Sequence, residues 1–179
     1  MLRRFVILGI WQLWWFLVVG QAAAGGSPWS LGLAGLLAVV GLALCRRRFL
    51  AVLILAVCGS AGDALAATIG LIDYQGRLLP GLLAPLWILL LWLGFVVVAD
   101  LVLRDWLLRR WWVGLLAGAG GALAAYGGAA AWGAIAWPTG TVTGLLAIVV
   151  WYSAATPMIV AALNGLDTAL VRDTEVRRA

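Results

Sequence analysis

Six long apolar runs, separated by arginines that fall almost entirely on one side, constrain this chain more than any other feature. The runs cover residues 5–24, 29–45, 49–72, 81–103, 111–135 and 141–166. A helix needs roughly 20 apolar residues to cross a hydrocarbon core of about 30 Å. Five of the runs reach that length, and 29–45 stands at its short end. Hydrophobic residues fill 65% of the 179 positions and charged residues 11%, which excludes a water-soluble core. The connections are too short for a soluble domain. The expected fold is all-α: a polytopic membrane protein with six transmembrane helices in one bundle over residues 1–179.

Basic residues in short loops set orientation. A cytoplasmic N-terminus places Arg3, Arg4, Arg46, Arg47, Arg48, Arg104, Arg109, Arg110, Arg172, Arg177 and Arg178 inside, leaving only Arg77 of the 12 basic residues outside. Both termini are then cytoplasmic, as an even number of spans requires. The net charge of +5 is thus a topology signal, and its scatter over four inner segments argues against a nucleic-acid partner. The first run imitates a secretory signal, with Arg3-Arg4 before it and Ala22-Ala23-Ala24 at its end. Its length and its Trp11, Gln12, Trp14 and Trp15 favour a first transmembrane helix.

The chain has no His and no Lys. That removes His-ligated haem and metals, lysine Schiff bases and Ser-His-Asp catalysis, and no cofactor is expected. Cys45 and Cys58 lie too far apart along the bundle axis to form a disulfide.

Asp63 is the sharpest feature, set within Gly59-Ser60-Ala61-Gly62-Asp63-Ala64 of the third run. Counted from Phe49 at helical rise, it lies about 21 Å from the inner boundary. An acid at such depth costs ~2.5–3.5 kcal/mol on insertion scales, so it should face protein or a wet cavity. Gly59, Ala66, Ala67 and Gly70 share its helix face and allow a neighbouring backbone to approach. No intramembrane cation pairs with it. Two readings stay open: proton transfer or ligand anchoring, and a structural hydrogen bond to a neighbouring helix.

Depth arithmetic puts Trp87 and Tyr126 near the level of Asp63, predicting one polar-aromatic layer, with Gln12 roughly 10 Å from the inner surface. Of the twelve tryptophans, Trp29, Trp132 and Trp137 suit the outer interface, and Trp106, Trp111 and Trp112 the inner one. Trp11, Trp14, Trp15, Trp87, Trp92 and Trp151 fall inside spans. An indole N–H in hydrocarbon seeks an acceptor, so these suggest a lined pocket, with packing against lipid as the plain alternative. The candidate ligand-binding residues are Asp63, Trp87, Tyr126, Gln12, Trp15 and Trp92. No metal site is expected.

Gly114, Gly118, Ala122 and Tyr126 form one i+4 row, which predicts a central fifth helix built for close approach. Pro157 frees the carbonyl of Ser153, so the sixth span should kink unless Thr156 or a neighbour compensates. Asp100 with Arg104, and Asp105 with Arg109, have the i,i+4 spacing of ion pairs at the inner interface. The segment from Arg104 to Trp112 reads as an interfacial turn that attracts anionic headgroups. Asp73-Tyr74-Gln75-Gly76-Arg77 reads as a solvated outer turn, and Asn164 as an interfacial or capping residue. Neither an inverted repeat nor a phosphate-binding glycine loop is present.

Trp11-Gln12-x-x-Trp15-Phe16, Pro85-x-Trp87-x-x-x-x-Trp92-x-x-Phe95, Gly118-Ala119-x-Gly121-x-Leu123-x-x-Tyr126, and Trp151 ahead of Pro157 follow one another in a characteristic order. Together, from about Phe5 to Leu166, they resemble the bacterial inner-membrane family of domain of unknown function 2878 (DUF2878). Trp14 departs from the small residue expected there. The resemblance implies a six-span inner-membrane protein without an assigned activity, and an association with lipid-modifying enzymes such as cyclopropane fatty-acid synthases. It carries no catalytic residues onto this chain.

Three readings follow. The first is a binding or accessory protein that holds a lipid or other apolar small molecule in an aromatic-lined groove near Asp63, Trp87 and Tyr126, with membrane lipids as partners. The second is a structural subunit packed against a protein partner in a larger membrane complex. The third is a lipid-modifying enzyme with Asp63 as general acid or base, for which one deep carboxylate is thin support.

Overall fold

The computed structural model describes residues 2–25, 28–75 and 84–176. Arg77, Arg177 and Arg178 lie outside the described residues, as do the side chains of Arg3 and Arg172, and the Asp73–Arg77 loop is described only to Gln75. The helices are α1 (Leu2–Ala23), α2 (Pro28–Leu44), α3 (Phe49–Thr68), α4 (Leu86–Leu107), α5 (Trp111–Ala131) and α6 (Thr141–Val176). All but α2 are long and apolar enough to cross a membrane, and α2 contributes a shorter apolar helix over Trp29–Leu44. The chain is a multi-pass membrane protein.

The third and fifth apolar runs overshoot their helices for one shared reason. In α3, Gly70 takes a φ of +75°, and the N–H groups of Gly70 and Leu71 turn back to the carbonyls of Ala67 and Ala66. In α5, Gly133 takes a φ of +77°, and Gly133 and Ala134 turn back to Ala130 and Ala129. Each is a glycine-terminated cap that satisfies the last carbonyls of its helix. The apolar residues beyond each cap enter an antiparallel two-stranded bridge, β1 (Asp73–Tyr74) with β2 (Ile135–Ala136), pairing Tyr74 with Ile135. Hydropathy alone does not separate these bridge residues from a continuing helix. Ile72, Tyr74, Ala134 and Ile135 are buried beneath the bridge, whereas Asp73 and Gln75 are exposed, so within the described part of the turn expected to be solvated Tyr74 alone turns inward.

The arginine-bearing turns gather at the opposite end. There Arg48 Nε stands 3.1 Å from Asp100 Oδ1, and Arg104 Nη1 3.8 Å from the same oxygen. The interfacial pair expected of Asp100 and Arg104 therefore has Arg48 as its nearer member. Asp105 pairs with Arg4 at 2.7 Å, because α4 ends at Leu107 and the i,i+4 spacing to Arg109 is no longer helical. One π-helical turn, Ala99–Leu103, interrupts α4, and its buried Asp100 faces these arginines. Wider turns of this kind recur at functional sites.

The central helix is α4, the most buried of the five long helices, against which α1, α2 and α3 all pack. The small-residue row of α5 serves a narrower purpose. A Cβ on Gly118 would strike the Tyr152 backbone, and one on Gly114 would meet Pro157 at 3.2 Å, so these glycines bring α5 against α6 alone. Helix α6 continues through Pro157. The Thr156 hydroxyl donates to the Tyr152 carbonyl at 2.8 Å rather than to the Ser153 carbonyl that the proline frees.

Candidate functional site

Asp63 is fully buried five residues before the end of α3. Trp92 Nε1 donates to its Oδ2 at 2.5 Å, and the Tyr126 hydroxyl donates to its Oδ1 at 2.7 Å. The Tyr152 hydroxyl lies 3.3 Å from Oδ2 and 2.7 Å from the Tyr126 hydroxyl. Tyr74, arriving on β1, also engages the carboxyl group. Burial holds the Tyr74 phenol well above its ordinary range. All three tyrosines of the chain thus converge on its one deep carboxylate. In an apolar medium an acid survives when strong donors replace its water shell, and here α4, α5, α6 and β1 each supply one.

The chain builds this cluster with missing side chains. A Cβ on Gly59, one turn before Asp63, would overlap the Trp92 indole, so the small-residue face of α3 admits an aromatic ring rather than a backbone. Trp92 in turn stacks on Tyr152, with ring centroids 4.8 Å apart and planes at 24°. Gly62 makes room for Trp151 in the same way.

Beside the cluster lies a partly open cavity of about 520 Å³. Its back wall is α4, from Ile88 to Leu103, and its sides are α1 and α5. Along α5 the lining is nearly bare (Ala117, Gly121, Ala124, Ala125), and the absent side chains are what leave the space. A Cβ on Gly121 would have nothing within 4 Å. At one end Trp132, just beyond α5, closes over Trp15 and Phe16, with ring centroids 5.6 and 5.4 Å away, and a Cβ on Gly128 of α5 would meet the Trp15 ring at 3.1 Å. The slot runs about 22 Å along α4 at helical rise.

Five of the six expected site residues, Asp63, Tyr126, Gln12, Trp15 and Trp92, line this cavity. Trp87 does not. It donates to the Gln75 carbonyl at 2.9 Å and packs edge-on against Tyr74 beneath the bridge. The depth arithmetic started the fourth span at residue 81, whereas α4 begins at Leu86, behind an extended Pro85. Trp87 therefore sits in the first turn, and Trp92, about 7.5 Å deeper, occupies the layer assigned to it. Tyr152 went unnoticed in the sequence. Its signal was composition: a chain with 12 tryptophans and three tyrosines places two of those tyrosines inside apolar runs. Of the remaining in-span tryptophans, Trp11 and Trp14 pack at Gly94 of α4, while Trp151 is half exposed on the outer surface.

Among the described residues no group of three His, Cys, Asp or Glu side chains comes together as a metal site. No curated protein and no solved structure matches the chain. The family model of DUF2878, proteins of unknown function, matches residues 4–158, and the chain belongs to that family.

Proposed function

We propose that this is a six-span protein of the bacterial inner membrane, both termini cytoplasmic, which holds a membrane lipid or similar apolar molecule in the slot between α1 and α5. The observation that carries the reading is the slot itself. A bundle in lipid gains by close packing of its helices, yet here glycines and alanines of α5 face a void walled by Trp11, Trp15, Trp92 and Phe95. Interior voids forfeit dispersion contacts unless something fills them. An elongated apolar ligand restores those contacts along α4. Asp63 acts by fixing Trp92, Tyr126 and Tyr152 at the wall, and Gln12 adds an amide on the α1 side. Holding a lipid in this way fits a role beside membrane-lipid modification.

Native mass spectrometry with lipidomics on gently purified wild type, Gly121→Leu and Asp63→Asn tests this. The expected result is a defined apolar species bound to wild type and lost from Gly121→Leu, whose side chain fills the slot. The same bulk lipid in all three, with a protein partner at fixed stoichiometry, would overturn the reading in favour of an accessory subunit.

A further inference from the structure

Trp15 is only 9% exposed, yet its indole N–H meets no acceptor among the described residues. The neighbouring Trp14 N–H is also unpartnered, but its nitrogen is sealed inside the protein, and that of Trp15 is not. Gly128, Phe16 and Trp132 hem the Trp15 ring, and the open space that it lines is the slot. A buried indole N–H calls for an acceptor, and leaving it unanswered costs more than one ordinary hydrogen bond returns.

Further donors stand round it. Gln12 and Trp11 precede Trp15 by three and four residues, so they share its helix face, and both line the slot without a hydrogen bond of their own. Trp132 adds another unused N–H where it closes over Trp15. Gln12 and Trp132 are exposed enough to meet acceptors elsewhere. Trp15 is not.

These donors occupy one half of the slot. Trp15 sits against Gly128 of α5, and Trp11 against Gly94 of α4. Toward the arginine-bearing end the lining becomes Leu8, Val98, Leu103 and Ala117, which carry no side-chain donor. A bare alkyl chain would fill the slot and leave Trp15 unanswered. A charged group at this depth needs a cation beside it, and no arginine lines the cavity. A neutral carbonyl oxygen has two lone pairs and takes two N–H groups at once.

We infer that the slot, if it is the lipid site proposed above, takes a neutral long-chain ester. The ester carbonyl accepts from Trp15 Nε1 and from the Gln12 amide, and its hydrocarbon chain runs toward the arginine-bearing end. The contact asks nothing of Asp63, whatever its charge, beyond holding Trp92 in the wall.

The test offers purified protein an equimolar mixture of methyl hexadecanoate and octadecane, matched in chain length, and reads bound species by native mass spectrometry. Gly121→Leu serves as the filled-slot control. Wild type should retain the ester about tenfold over the alkane, the worth of one to two hydrogen bonds. Trp15→Phe keeps an aromatic ring beneath Trp132 and should lower that preference about fivefold while octadecane still binds. Gln12→Leu, at an exposed position, should lower it in the same direction. With an isotope label on the carbonyl carbon, the infrared C=O stretch of the bound ester should lie below its frequency in octadecane solution and rise in Trp15→Phe. A preference unchanged in both variants, or a bound carbonyl at its free frequency, overturns the ester inference and leaves the slot standing if Gly121→Leu loses both probes. Both probes retained by Gly121→Leu, or neither bound by wild type, overturns the slot reading and this inference with it.

Discussion

The glycine at position 59 makes the most demanding prediction. Trp92 is 1% exposed and pinned from two sides, by its hydrogen bond to Asp63 and its stack on Tyr152. A Cβ at position 59 would overlap the six-membered ring of that indole. The ring has no flexible end to swing aside, so Gly59→Ala must displace it. Overpacking a dense core costs about 1–3 kcal/mol, and straining the indole's hydrogen bond costs about 1 kcal/mol more. Against this, alanine gains about 1 kcal/mol over glycine within a helix. The net expectation is a loss of about 2 kcal/mol. In a Trp92→Leu background the clash disappears and only the helix gain remains, so the same substitution should become neutral or stabilising by up to ~1 kcal/mol. The two backgrounds form a double-mutant cycle with a coupling of about 3 kcal/mol. Unfolding by SDS in mixed micelles, followed by near-ultraviolet circular dichroism, measures all four proteins. A wild-type cost below about 0.5 kcal/mol, or a cost that survives in Trp92→Leu, would refute the idea that Gly59 exists to admit the indole.

Gly118→Ala should be more harmful than Gly114→Ala, since its added carbon meets the α6 backbone and the neighbour of Gly114 is a proline edge; the same SDS titration should show a gap of about 1–2 kcal/mol between them. Asp63→Asn sets an N–H₂ against donors already in place, and should cost about 1–2 kcal/mol, within the range of membrane-buried hydrogen bonds. If Asp63→Asn matches wild type, the carboxylate is not the node that ties α3 to α4, α5 and α6. Arg48→Ala removes the nearer cation from buried Asp100, leaving Arg104 at 3.8 Å, and should cost about 2–3 kcal/mol. Asp100→Asn in that background should recover part of the loss, and failure of that rescue would count against a charge effect. Gly133→Ala forces a side chain into a φ of +77° at the cap that leads into β2. It should lower stability by about 1 kcal/mol and speed amide exchange at Gln75, whose N–H bonds the Ala134 carbonyl.

The run lengths and arginine asymmetry made a membrane bundle legible from the sequence, because crossing hydrocarbon demands about 20 apolar residues whatever the neighbours are. Asp63 was legible for the same reason: a lone deep acid is costly in any bundle. The small-residue face around it was legible too, although what it admits, the ring of Trp92, was not. Helix ends were harder. Gly70 and Gly133 marked them, yet the apolar residues beyond those glycines looked like more helix until β1 and β2 paired. That five-residue error at the start of α4 was enough to exchange Trp92 for Trp87.

By itself the sequence determined the medium, the number of apolar segments and the one residue whose burial had to be answered by donors. Those are properties of single segments against a solvent. Tertiary structure alone decided which donors answer: Trp92, Tyr126, Tyr152 and Tyr74 come from four elements and share no spacing in the chain. It also decided that α4 is central and that α1 and α5 part to leave a slot. Both depend on which small residues find a partner. Gly114 and Gly118 close onto α6, while Gly121 faces the opening, and three nearby glycines on one helix are distinguished only by what stands opposite each.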